Sequence, residues 1–126
     1  MRSIAFSLNL VGITAAASAQ CFEPNFGTPL GTVATLIGDI VLPIQPIGFA
    51  FPLAGTTYTD VHISDKGYVW LSNGGTPAPA GADFTATFVE FASQGPRIAP
   101  LWADLQTLPA NNGQIYLNSS ATRCVI

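Results

Sequence analysis

Hydrophobic and polar residues alternate in two neighbouring stretches of the chain. In residues 46–53 the large side chains of Ile47, Phe49 and Phe51 alternate with small ones. In residues 57–64 threonine, valine and isoleucine occupy every second position. Because successive side chains of a strand point to opposite faces, both stretches predict β-strands, the second with one face in solvent.

A turn follows the second strand. Asp65-Lys66-Gly67 interrupts the alternation, and aromatic and β-branched residues resume at 68–71. Glycine accepts the positive φ that such a turn needs, so the pattern predicts a β-hairpin.

The remaining segments are short and separated by turns. Further strands or extended segments are predicted at 32–42, 97–102, 114–118 and from 122, with a loop at 72–81 and a turn at 111–113. In residues 82–91, Phe84, Phe88 and Phe91 line one helix face, whereas neighbouring threonines favour a strand, so a short helix and an irregular edge both remain open.

These elements together predict an all-β fold. No sequence period repeats and no linker divides the chain, so we expect one antiparallel β-sandwich or partly open barrel. The final strand has only begun at Ile126, and the fold is therefore expected to be truncated at its C-terminus.

The first residues resemble a secretion signal. Met1-Arg2 is positive, residues 4–17 are apolar, and Ala17-Ser18-Ala19 is a cleavage sequence. We expect a signal peptide at 1–19, an extended leader at 20–31 and the β domain at 32–126. The apolar stretch is shorter than the ~20 residues of a membrane span, so the protein should be secreted or lie at the cell surface, with no span after cleavage.

Charge and cysteine content add two expectations. Only 9% of the 126 residues are charged and the net charge is −3, which argues against a nucleic-acid partner. Outside the cell, Cys21 and Cys124 can form a disulfide, whose long loop would contribute about 4 to 5 kcal/mol. The alternative is two free thiols, one of them pairing beyond the sequence.

The order of motifs resembles the nidogen-like extracellular domain and related secreted bacterial proteins. The resemblance rests on IGFAFPLAGTTYTDVHISDKGYVWLSNGG, from Ile47 to Gly75, and on PRIAPLWADL, from Pro96 to Leu105. Two differences stand out. Lys66-Gly67 replaces the usual Asn-Gly, and Cys124-Val125-Ile126 resembles only the start of the next family strand. The resemblance implies an extracellular β domain without enzymatic activity, and it supplies no catalytic residues.

The single histidine is the first candidate for chemistry. His62 could join Asp60 or Asp65 in a hydrolase triad, but no Gly-x-Ser-x-Gly motif accompanies it. A solvated strand histidine is favoured, and we expect no enzyme.

Other residues are candidates for binding. Trp70 and Tyr68, near Asn73, are a possible sugar-stacking site, although aromatic residues at strand spacing usually pack in a core. Asp104 is the best candidate for a Ca²⁺ ligand, against the simpler interpretation that it caps a turn; no other cofactor is expected. Asn118-Ser119-Ser120 fits an N-glycosylation sequon.

The sequence therefore predicts a secreted, non-enzymatic structural or adhesion module. Its partner would be an extracellular protein or glycan, and self-assembly through an open strand edge is a further possibility. The alternative is a carbohydrate-binding module of a larger secreted enzyme.

Overall fold

Two antiparallel sheets contain the strands of the described chain. A computed structural model describes residues 24–31, 38–105 and 113–126. The elements are β1 (Thr28–Leu30), β2 (Gln45–Leu53), β3 (Thr56–Ser64), β4 (Tyr68–Ser72), α1 (Phe88–Ser93), β5 (Arg97–Ile98), β6 (Ile115–Ser119) and β7 (Cys124–Val125). One sheet has the order β1-β6-β7 and the other β2-β3-β4-β5. The all-β prediction is confirmed, and because neither described sheet closes on itself, the fold is consistent with a sandwich.

β2 follows the predicted alternation. Ile47 is buried and Phe49 and Phe51 are half-buried, whereas Gly48 and Ala50 are exposed. The buried core cluster consists of Leu42, Ile47, Val61, Ile63 and Leu71. The alternating aromatic row of β2 therefore packs against the core, as the period of two requires.

The predicted hairpin of β3 and β4 is also confirmed. Ser64 pairs with Tyr68 and His62 pairs with Trp70 in an antiparallel register. The prediction of a wet face on β3 is wrong for its second half, because residues 61–66 are all buried. A preceding segment covers this end of the strand, where the Leu42 amide donates to the Ile63 carbonyl at 2.8 Å.

The chain after β5 folds over the hairpin turn. The Ala103 amide donates to the Lys66 carbonyl at 3.1 Å and the Leu101 amide donates to the Gly67 carbonyl at 3.4 Å. Gly67 has a φ of +79°, and a Cβ atom there would overlap the Leu101 carbonyl. The turn therefore needs glycine both for its backbone conformation and for this close approach.

The end of the predicted leader forms part of a sheet. Residues 28–30, expected to be irregular, pair as β1 with β6. Ile115 and Leu117 of β6 are half-buried while Tyr116 is exposed, as their spacing predicted. Residues 1–23, 32–37 and 106–112 lie outside the described residues, so the signal peptide, part of the predicted 32–42 strand and part of the 111–113 turn are not described.

Among the described residues, no helix is long and apolar enough to cross a bilayer.

Candidate functional site

The lysine of the hairpin turn is buried among carboxylates. The Lys66 side chain is 1% exposed, and its Nζ lies 2.8 Å from Asp39 Oδ1, 3.2 Å from Asp104 Oδ1 and 3.6 Å from Asp65 Oδ2. Nζ also donates to the Leu105 carbonyl at 2.8 Å. We call Asp39, Asp65, Lys66 and Asp104 the turn cluster, which ties the hairpin to the segments on either side of it.

The turn cluster holds Lys66 in its charged form. Burial opposes the charge, but hydrogen bonds to Asp39 and Asp104 and the nearby charge of Asp65 outweigh it and raise the pKa of Lys66. Burial raises the pKa of Asp65, against the Ile40 amide and Lys66, which lower it. The cluster is thus a salt-bridge network, and its lysine is not an activated nucleophile.

A second cluster surrounds Arg97 on β5. Its guanidinium carbon lies 3.8 Å from the ring centroid of Trp70, 4.4 Å from that of Trp102 and 5.6 Å from that of Tyr68. Arg97 is 5% exposed, and burial lowers its pKa. Because its planar cation stacks on aromatic faces, Arg97 joins Trp70 of β4 to Trp102, which follows β5, by cation–π contact.

The aromatic rings of this cluster also fix a loop. Tyr68 Oη donates to the Gly81 carbonyl and accepts from the Asp83 amide, both at 3.1 Å. Trp102 Nε1 donates to the Asp83 carbonyl at 2.6 Å. The polar atoms of Tyr68 and Trp102 are therefore occupied by the protein itself.

Of the two interpretations of Trp70 and Tyr68, the structure agrees with core packing and not with a sugar-stacking site. Trp70 is 0% exposed and Tyr68 is 1% exposed, so a sugar has no access to the face of either ring. Asn73 is exposed, and its carbonyl accepts from the Thr76 amide at 3.1 Å in the loop after β4. The two aromatic residues are buried because Arg97 of β5 packs on the Trp70 ring and Trp102, which follows β5, packs on the Tyr68 ring.

The prediction of a solvated His62 is also wrong. His62 is buried, with Nε2 2.9 Å from the Thr76 carbonyl and Nδ1 3.4 Å from the Leu42 carbonyl. Among the described residues, the hydrogen-bonding contacts of both ring nitrogens are backbone oxygens. This placement anchors two loops and gives no support to a triad.

The candidate Ca²⁺ ligand Asp104 contacts an ammonium group instead. Its carboxylate accepts from Lys66 Nζ at 3.2 Å. Within the part of the chain that the structure describes, no group of three or more His, Cys, Asp or Glu side chains is arranged to hold a metal ion. The described geometry therefore gives the calcium prediction no support.

Two predicted modification sites lie in the three-stranded sheet. Cys124 is half-buried and forms no disulfide with another of the described residues, and burial raises the pKa of its thiol. Cys21 lies outside the described residues, so their pairing stays a prediction. The Asn118 amide nitrogen, to which a glycan would be attached, donates to the Asn25 carbonyl at 2.9 Å; glycosylation likewise stays a prediction.

An exposed apolar surface is a feature that sequence reasoning missed. Phe88 is 83% exposed, Val89 71%, and Phe84 and Phe91 47% each. We call these four residues the helix patch. The sequence spaces Phe84, Phe88 and Phe91 for one helix face, but α1 begins at Phe88, so only Phe88 and Phe91 lie on the helix. The spacing also could not show whether that face is buried.

The helix that carries most of the patch is held at both ends. Thr87 is the N-cap: its Oγ1 accepts from the Glu90 amide at 3.2 Å and donates to the Glu90 carboxylate at 2.5 Å. Arg97 Nη2 donates to the Glu90 carbonyl at 2.6 Å and to Gln94 Oε1 at 2.8 Å. None of the helix residues is buried. The helix therefore presents its apolar side chains to solvent on a fixed support.

The two antiparallel sheets are consistent with a β-sandwich, and the buried charges contact other residues of the same chain. A family model described as NIDO related matches residues 12–122, and the chain belongs to that family. The predicted resemblance is thereby confirmed. The family indicates an extracellular-type module and is not known to be enzymatic. Comparisons with curated proteins and with solved structures gave no match.

Proposed function

We propose that this chain is a secreted, non-enzymatic structural or adhesion module that assembles with further copies of itself through the helix patch. The observation that carries the proposal is the exposure of Phe88 and Val89 on a helix fixed by Arg97. Contiguous exposed apolar surface is typical of sites that contact other proteins.

The surroundings of the helix patch favour contact between copies. β5 is the edge strand of its sheet within the described residues, and Arg97 links it directly to α1. An open edge can pair with the same edge of a second copy, which brings both patches together in a two-fold contact. The four side chains of the patch carry no charge, so charge repulsion between two facing patches is small.

Sedimentation velocity of the full chain over a concentration series tests this proposal. We expect reversible association that the double substitution Phe88→Gln and Val89→Gln weakens at least about tenfold, since burying each side chain contributes ~1.5 kcal/mol or more. Glutamine keeps a good helix propensity, so the helix itself should persist.

The matched control is Ala50→Gln, at an exposed position of β2 on the opposite edge of the same sheet. It should associate like the unsubstituted chain. A strictly monomeric protein at every concentration, or equal weakening by the control, would refute assembly through the helix patch.

A further inference from the structure

An asparagine-glycine pair lies in the loop directly after β4. Asn73 and Gly74 are both exposed and follow Ser72, the last residue of that strand. Gly74 has a φ of +56°, a backbone conformation that favours glycine. The pair therefore belongs to the shape of this loop and is open to water.

The two residues hold the groups that react when an asparagine deamidates. The Gly74 backbone nitrogen can attack the side-chain carbonyl carbon of Asn73, because glycine has no Cβ to obstruct the approach. The nitrogen gives its proton to base in solution, the new N–C bond closes a succinimide ring, and the Asn73 side-chain nitrogen leaves as ammonia. Water then opens the ring to aspartate or isoaspartate. Water is the only other reactant, and an exposed loop has access to it.

The attacking nitrogen is held by a carboxylate. Asp60 pairs with Ser72 across β3 and β4, and its Oδ2 accepts from the Gly74 amide at 2.9 Å. Such a hydrogen bond to an ionised acceptor is stronger than one between neutral groups. The same charge opposes loss of the Gly74 amide proton, because the resulting anion would form next to a negative oxygen. Asp60 therefore disfavours both the movement and the activation of the nucleophile.

Further hydrogen bonds hold the loop against the strands. The Asn73 carbonyl accepts from the Thr76 amide at 3.1 Å and from Thr76 Oγ1 at 2.7 Å. The Thr76 carbonyl in turn accepts from Ser72 Oγ at 2.9 Å and lies 2.9 Å from His62 Nε2. These contacts restrict the rotations about Asn73 that ring closure requires, so the reaction proceeds from molecules whose loop has opened.

We propose that Asn73 is a deamidation site that the Asp60 carboxylate protects in the folded protein. Either product places a further carboxylate close to Asp60, and repulsion between the two charges weakens the hold on the loop. The site lies outside the helix patch and does not depend on assembly.

The rate is measured by incubating the full chain in mildly alkaline, heavy-oxygen water and analysing its peptides by mass spectrometry. Opening of the ring inserts the labelled oxygen at residue 73. We expect Asp60→Ala to deamidate at Asn73 at least about fivefold faster than the unsubstituted chain, since a charge-assisted hydrogen bond is lost. Asp60→Asn keeps an acceptor oxygen without the charge and should react at an intermediate rate. In urea, where the fold is lost, all three chains should react equally fast at this site.

Two controls separate the Asp60 contact from a general loosening of the fold. Thr59→Val removes a hydrogen bond of 2.7 Å to the same Asp60 oxygen but leaves the Gly74 contact, so it should react like the unsubstituted chain. Asn112-Gly113 is a second Asn-Gly pair in the sequence, with Asn112 outside the described residues, and its rate should not respond to Asp60→Ala.

Three results would overturn the proposal. The first is deamidation of Asn73 in the folded, unsubstituted chain as fast as in urea. The second is a rate in Asp60→Ala that is no faster than in the unsubstituted chain. The third is equal acceleration of Asn73 and Asn112 by Asp60→Ala, which would show a general loosening of the fold and not the loss of one contact.

Discussion

Replacing Lys66 by methionine should destabilise the protein strongly and in a pH-dependent way. Methionine keeps a long apolar side chain but removes the ammonium group from the turn cluster. The side chains of Lys66 and Asp65 are each 1% exposed, whereas Asp39 and Asp104 are 49% and 56% exposed. The substitution therefore leaves one fully buried carboxylate without its counter-charge, and two carboxylates that water can solvate.

The expected loss follows from these exposures. Removing one partner of a buried ion pair typically costs about 3 to 5 kcal/mol, while a half-exposed pair contributes ~1 kcal/mol or less. The Leu105 carbonyl also loses its donor at 2.8 Å. Because only Asp65 is fully buried, we expect a decrease of about 3 kcal/mol in the free energy of unfolding near pH 7.

The pH dependence of this loss has a definite sign. Burial already raises the pKa of Asp65 above its ordinary value of 3.8, and Lys66 opposes that rise. Without Lys66 the folded-state pKa of Asp65 rises further. The variant therefore loses the least stability below pH 3.8, where Asp65 is protonated in both the folded and the unfolded chain. Stability is then lost as pH increases through the raised pKa.

Urea unfolding, followed by the fluorescence of the buried Trp70, measures the loss at about pH 3.5 and about pH 7. Asp39→Asn and Asp104→Asn are controls that should each cost about 1 kcal/mol or less. Adding Asp65→Asn to Lys66→Met should recover part of the loss and flatten its pH dependence. A loss below about 0.5 kcal/mol, or one equal at both pH values, would show that the turn cluster does not stabilise the fold as argued.

Two further predictions concern the hairpin turns and the cysteines. Measured by urea unfolding, Gly67→Ala should lower the free energy of unfolding by more than about 2 kcal/mol and Gly55→Ala by only about 1 kcal/mol. Both glycines have a positive φ, but only at Gly67 would the added Cβ overlap a carbonyl. Equal losses would contradict this. If Cys21 pairs with Cys124, titration of the native protein with a thiol reagent should find no free thiol before reduction and two after it. Reduction should then lower the free energy of unfolding by about 4 kcal/mol. Two free thiols before reduction would refute the pairing.

The strands could be predicted because their side-chain periods depend on local sequence. The alternation around Ile47 and the break at Gly67 each report a local constraint, and both appear in the structure. The burial of His62 could not be read in this way. It depends on the Thr76 loop and the Leu42 segment, both of which are separated from it along the chain.

The clusters were missed for a related reason. Asp39, Asp65 and Asp104 are far from one another in the sequence, yet all three lie near Lys66, the single lysine of the chain. No local sequence spacing predicts this. The aromatic character of Trp70 was visible, but its exposure was not, because it is decided by the packing of Arg97 across from it. Candidate residue types were therefore easier to predict than their accessibility.

The most recognisable motif of the chain has a structural role. The segment from Pro96 to Leu105 supplies Arg97 to the aromatic cluster, Trp102 to the loop at Asp83, and Asp104 to the turn cluster. These three side chains are bound by the protein itself. Exposed apolar side chains remain for contacts with other molecules, and one group of them, the helix patch, is held on this framework by Arg97. For this reason we expect substitutions in the helix patch to change association while leaving stability nearly unchanged, and substitutions in the turn cluster to do the reverse.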